Sequence, residues 1–178
     1  MAGDISTALP RCEVRRVLLV ADLAGFTRAV GPLETSTLAE LIHRFYTVAA
    51  TQVEDHGGRV VKFVGDGCLA LFDEEAAPAA VACARDLGPV ARDLGTEFGI
   101  VLDVGANVHM ATVAEGEYGT GRSAAFDVIG AGVIHAFRMG AGPGIRISEP
   151  VFRRLPNDQR GPWKKRQPPA TYTWDGSQ

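Results

Sequence analysis

The chain has 178 residues, close to half of them apolar, and a net charge of −3, which is enough for one buried core and too little for two ordinary domains. The acidic excess withholds the broad positive field that general nucleic-acid binding relies on, so a small ligand is expected and nucleic acid is not. Cys12, Cys68 and Cys83 are widely spaced with no CxxC pair, and no apolar run approaches the roughly 20 residues that cross a bilayer, which argues against a disulfide framework, a structural zinc site and membrane insertion, and for a cytoplasmic protein.

Residues 1–14 read as a polar leader and 15–178 as a single domain. Residues 17–21 form a continuous apolar run, as in a strand buried on both faces, and the run ends at Asp22. Leu38, Leu41, Ile42, Phe45, Tyr46 and Ala49 recur at helical spacing, which predicts an amphipathic helix over 35–53 stopped by His56-Gly57-Gly58. Residues 59–64 and 68–72 are strand-like runs around Gly65-Asp66-Gly67, the composition of a tight hairpin turn. An alanine-rich helix follows over 76–94, then strands over 100–109 and 112–117. Residues 115–125 turn to Gly, Ser, Thr and charge, which marks a loop or a protruding hairpin arm. A strand end passes into a helix over 127–139, residues 140–144 stop it, 145–147 add a short strand, 148–155 a helical turn, and 162–174 an edge hairpin. The order βαββαβ with extra C-terminal strands predicts an α+β fold, an α/β sandwich with a ferredoxin-like core and a mostly antiparallel sheet.

Three short motifs carry chemistry. In Ala21-Asp22-Leu23-Ala24-Gly25-Phe26-Thr27 an acid leaves a buried strand just before a helix start, where backbone N–H groups attract phosphate and a carboxylate brings in a hard cation. In Lys62-Phe63-Val64-Gly65-Asp66-Gly67 the turn acid faces Asp22 if the hairpin lies beside the first strand, and two such carboxylates suit magnesium or manganese. In the run from Asp127 to Arg138 an acid precedes a helix and an arginine follows about three turns later, placed to stabilise a phosphoryl transition state. Taken singly, each has a plainer explanation: a helix cap, a hairpin turn, a solvated arginine.

Taken together and in this order, ADLAGFT, GGRVVKFVGDG and FDVIGAGVIHAFR resemble the class III adenylate and guanylate cyclase catalytic domain, over about 16–174. The resemblance implies a head-to-tail homodimer with sites shared between subunits, each completed by two Mg2+ or Mn2+ ions. Asp22 and Asp66 match the metal-holding acids, the Leu23 carbonyl matches a backbone metal ligand, and Phe26 and Thr27 match the phosphate loop. From the other subunit, Lys62 and Asp127 match the pair that reads adenine, Arg138 the transition-state arginine, and Lys164, across a gap in the match, the lysine on the terminal phosphates. The implied substrate is ATP and the implied product 3′,5′-cyclic AMP.

The departures from the family pattern lie on the ribose side. Ile134 stands where the family carries an asparagine that orients the ribose, and the loss of one such preorganised contact slows a reaction by about 10² to 10³. Ala131-Gly132 and Ala111 also differ from the usual residues on that side, and His135 follows directly. Two alternatives therefore stand beside ATP cyclisation: a non-catalytic, dimeric nucleotide sensor or scaffold, and a pyrimidine nucleotide cyclase.

Overall fold

In the computed structural model, residues 12–166 and 170–174 are described. Most of the leader lies outside them, and the first strand, β1 (Cys12–Ala24), already begins inside its last residues. There follow α1 (Phe26–Ala29), α2 (Thr35–Asp55), the hairpin β2 (Arg59–Val64) and β3 (Gly67–Asp73), and α3 (Ala77–Glu97). The second half holds β4 (Asp103–Tyr118), β5 (Ala125–Ile129), α4 (Ala131–Arg138), β6 (Gly144–Ser148), α5 (Glu149–Arg154), β7 (Trp163–Arg166) and β8 (Thr171–Trp174).

The strands form one sheet in the order β2-β3-β1-β4-β6-β8-β7, with β5 paired to the far end of β4. Every pairing is antiparallel except β4 with β6. This is the α+β sandwich expected from the element order. Two expected strands merge into one: β4 runs unbroken for 16 residues. Met110 and Ala111, where a break was expected, pair with Val17 and Arg16 of β1, so neighbouring strands hold the segment extended where local composition does not.

Alternation along β1 decides what lies on each face of the sheet. Val17, Leu19, Ala21 and Leu23 point into the main core, with Leu41 and Phe45 of α2, Leu87 of α3 and Val151 of α5. Leu18 and Val20 point the other way, into a smaller cluster with Leu69 and Leu71 of β3, Val128 of β5 and Ala136 of α4. Asp22 continues this second set. Among the described residues α4 and β5 cover that face, and Val64, Ile129, Ile134 and Phe137 remain 51%, 51%, 56% and 42% exposed. No helix among the described residues is long and apolar enough to cross a membrane.

Candidate active site

Asp22 lies in a strip of sheet almost without side chains. Its cross-strand partners are Gly67 on β3 and Gly105 on β4, and Gly105 in turn pairs with Gly144 on β6. A Cβ at Gly67 would stand 2.5 Å from the Ala21 carbonyl oxygen, and one at Gly105 would stand 2.6 Å from Asp22 Oδ1. Gly105 is therefore needed to leave the carboxylate its room, and Gly67 to let β3 approach the backbone of Ala21 and Asp22.

Asp66 reaches the same place through its turn. The Leu23 N–H donates to the Asp66 carbonyl at 3.1 Å, while the Tyr46 hydroxyl, from α2, donates to the Gly65 carbonyl at 2.5 Å. Tyr46 also stacks on Phe63 of β2, with ring centroids 3.9 Å apart. The β2–β3 turn is thus tacked down from both sides, with Gly65 at φ 60°. Burial pushes the Asp22 carboxyl above the usual range, and the charge of Asp66 pushes it further, opposed by Arg146. A carboxylate whose charge is disfavoured by burial and by a second carboxylate beside it is a natural seat for a divalent cation.

Beside the pair, Gly25 adopts φ 81° and opens α1, the single turn that carries Phe26 and Thr27. Residues 22–28, Asp66 and Gly142 enclose a depression of about 380 Å³. The donor set is two carboxylates and main-chain oxygen, and no cluster of three His, Cys, Asp or Glu occurs among the described residues. Hard oxygen donors of this kind fit Mg2+ or Mn2+ and not a thiophilic metal. A larger hollow of about 600 Å³ behind α1 is walled mainly by apolar residues such as Ala29, Ile100 and Leu102. Its Asp103 is engaged by Arg92 at 3.1 Å.

The other matched residues form a second group on the same chain. Lys62 Nζ donates to Asp127 Oδ2 at 2.7 Å across 65 residues of sequence, and the Val128 N–H holds Asp127 Oδ1 at 2.8 Å. The pair forms because β5 folds back toward β2, where the Arg59 guanidinium also lies 3.8 Å from the Phe126 ring centre. Ile134 and Arg138 are exposed on α4. Lys164, on β7, is four strands from β1, on the order of 19 Å at the usual strand spacing. The structure brings Asp22 together with Asp66 and Lys62 together with Asp127. It does not bring Arg138 or Lys164 of the same chain to the carboxylates.

Sequence reasoning passed over Tyr46, Gly105, Asn107 and Arg146. Tyr46 was read only as one apolar position of a helix, and the others carry no motif. The glycines at 67, 105 and 144 are a signal only when the strand register is known.

His109 and His135 were not recognised as neighbours either; their rings pack with centroids 4.6 Å apart. Burial, with His135 adding to it, lowers the His109 pKa to about 4, and its Nδ1 is buried without a partner.

In sequence no family model matches the chain. An adenylate cyclase of Streptomyces coelicolor is 38% identical over 81 residues, 46% of this chain and 20% of that protein. The chain thus spans about a fifth of the length of the curated relative it matches. Among solved structures, the guanylyl cyclase Cya2 superposes with a TM-score of 0.82 at 22% identity, covering 96% of each chain. The adenylyl cyclase CyaB from P. aeruginosa gives 0.82 at 19% identity, covering 96% of this chain and 98% of its own.

The depressed His109 pKa has a consequence for stability. The unfolded chain takes up a proton near pH 6.5 that the folded chain refuses until about pH 4, so the His109 contribution is intact above pH 6.5 and is lost as the pH falls toward 4. Urea midpoints between pH 7 and pH 4.5 should fall more steeply for the native chain than for His109→Leu. Parallel slopes would show that the imidazole does not carry the effect.

The resemblance read from the motifs holds in the fold and in local sequence: the chain has the fold of the class III adenylyl and guanylyl cyclase catalytic domain.

Proposed function

We propose that the chain is a nucleotide cyclase that converts ATP to 3′,5′-cyclic AMP and pyrophosphate at sites shared between two copies of itself. The observation that carries this reading is the Lys62–Asp127 pair. The residues matched to adenine recognition, far apart in sequence, meet in space as one donor and one acceptor. A lysine donates to a ring nitrogen and a carboxylate accepts from an exocyclic amine, which matches the Watson–Crick edge of adenine, where guanine presents a ring N–H and a carbonyl.

The shared site follows from what one chain leaves unfinished. Arg28 borders the depression in front of Asp22 and Asp66, whereas Arg138 of the same chain projects from α4 into solvent. Val64, Ile129, Ile134 and Phe137 surround this region with exposed apolar surface, and such a patch favours burial against a second copy. In the dimer, Asp22, Asp66 and the Leu23 carbonyl of one subunit face Lys62, Asp127, Arg138 and Lys164 of the other.

In the reaction the ribose 3′-oxygen bonds to the α-phosphorus, the bond to pyrophosphate breaks, and the 3′-hydroxyl proton passes to solvent. Lys62 and Asp127 hold the base, the backbone around Phe26 and Thr27 receives phosphate oxygens, and Lys164 draws the terminal phosphates. Arg138 neutralises charge that develops on the reacting phosphoryl group. Asp22, Asp66 and the Leu23 carbonyl would hold divalent cations, and the chemistry these would supply is Lewis acidity toward the 3′-hydroxyl and the departing phosphates. Ile134 offers no hydrogen bond to the ribose, and at 56% exposure it presents an apolar surface in its place. That observation favours the second reading, a dimer that binds nucleotide without turning it over.

Purified protein incubated with Mn2+ and each of the four nucleoside triphosphates should yield cyclic AMP from ATP. A cyclic pyrimidine product would reassign the base, and bound nucleotide without any cyclic product would establish the sensor reading. Replacing Ile134→Asn should raise turnover by about 10-fold or more with little change in nucleotide affinity, within the range of one preorganised contact; unchanged turnover would show that the ribose is oriented by other groups. Asp22→Ala and Arg138→Ala proteins, each inactive alone, should recover up to about a quarter of native activity when mixed, because a heterodimer regains one intact site and half of the random dimers are heterodimers. Confirmed heterodimers without recovery would rule out shared sites.

A further inference from the structure

Asn107 and Arg146 are cross-strand neighbours on β4 and β6, and between them they bind most of the main chain that joins α4 to β6. Asn107 Nδ2 donates to the Ala136 carbonyl at 3.0 Å and to the Gly140 carbonyl at 3.1 Å. The Arg146 guanidinium donates to the Ala141 carbonyl at 2.5 Å and to the Gly142 carbonyl at 3.2 Å. Longer contacts of 3.4 Å reach the carbonyls of Pro143 and Gly144. Among the described residues no carboxylate forms an ion pair with Arg146. Its donors are spent on this one turn of backbone.

What the clamp holds is the Gly142 carbonyl. A Cβ placed on Gly105 would stand 2.5 Å from Gly142 O and 2.6 Å from Asp22 Oδ1. The two oxygens therefore converge on the strip that Gly105 leaves bare. Gly142 lies at φ 77° and borders the same depression as Asp22 and Asp66. A carbonyl oxygen has two lone pairs. Arg146 reaches Gly142 O with two long contacts from one guanidinium, at 3.2 and 3.3 Å, and across Gly105 the same oxygen faces Asp22.

We propose that the Gly142 carbonyl is a further oxygen donor to the cation site beside Asp22, directly or through one water, and that Arg146 is the positioning residue that holds it there. The proposal rests on the reading of Asp22 and Asp66 as metal ligands. It extends the site to a segment between α4 and β6 that carries no acidic residue and no motif. A hard cation gains from a neutral oxygen at this place because Asp22 and Asp66 already supply the negative charge.

The test is Mn2+ titration of the nucleotide-free protein, followed by electron paramagnetic resonance of the free ion. Arg146→Lys keeps the positive charge, but one ammonium group cannot span the carbonyls of 141–144. Gly142→Ala leaves Arg146 in place and disturbs only the backbone at φ 77°, since its Cβ meets nothing within 4 Å. Both variants should weaken Mn2+ binding by about 10-fold or more with circular dichroism unchanged. In active enzyme both should raise the Mn2+ concentration for half-maximal rate while kcat at saturating Mn2+ stays near native. Native affinity in both variants would overturn the proposal. So would a loss of kcat without a shift in Mn2+ dependence, since that places the effect on α4 and Arg138. Native protein that binds Mn2+ but forms no cyclic product would defeat the cyclase reading and leave the proposal to be decided by the two variants' Mn2+ affinities.

Discussion

The constraint on which the site depends is steric: a carboxylate at the end of a central strand needs neighbours without side chains. Asp22 meets that need because its register places it between Gly67 and Gly105, with Gly144 next in the row. Central strands are normally crowded on both faces, and a glycine within one weakens it. Here the loss of packing on β3, β4 and β6 is confined to one row and is offset by the continuous apolar rows beside it, where Leu18, Val20, Leu69 and Leu71 are buried. A groove across the sheet results, and the loops that carry Asp66, Gly25 and Gly142 close around its end.

Position is only half of the requirement, because the charges must also tolerate one another. Asp22 is pushed toward protonation by burial and by Asp66, and Arg146 pulls it back. The balance is local, and it depends on backbone staples more than on side-chain ion pairs. Tyr46 fixes Gly65, Leu23 fixes Asp66, and Arg146 fixes 141–144, each by a hydrogen bond to a carbonyl or from an amide. Main-chain bonds of this kind hold the acids in place without neutralising them, which leaves their charge for a cation.

The sequence made the element order legible because periodicity is strong where one face of an element is buried. The amphipathic pattern of 35–53 corresponds to Thr35–Asp55, and the two runs around Gly65-Asp66-Gly67 correspond to β2 and β3. It placed a break in β4 where none exists, since Met110 and Ala111 owe their extended form to β1 and not to their own propensities. At the site, the acids and basic residues announced themselves through motif order. Gly105, Asn107 and Arg146 did not, because their roles exist only across strands: Gly105 works by lacking a side chain opposite Asp22, and Arg146 works on carbonyls that any residue would supply. Likewise nothing local to His109 points to His135, 26 positions away, as its neighbour.

The Lys62–Asp127 bond also bears on how the empty protein treats passing molecules. With each group the other's partner, neither charge stands free to draw in an arbitrary ligand. Under the proposed function a visiting base would have to part them and then replace both halves of what it interrupts. One that matched only the lysine or only the carboxylate would leave the other group without its partner, with water taking that place in part because Lys62 is 41% and Asp127 24% exposed. Discrimination would then be exercised at admission, by a pair whose resting state is itself the standard that a ligand has to better.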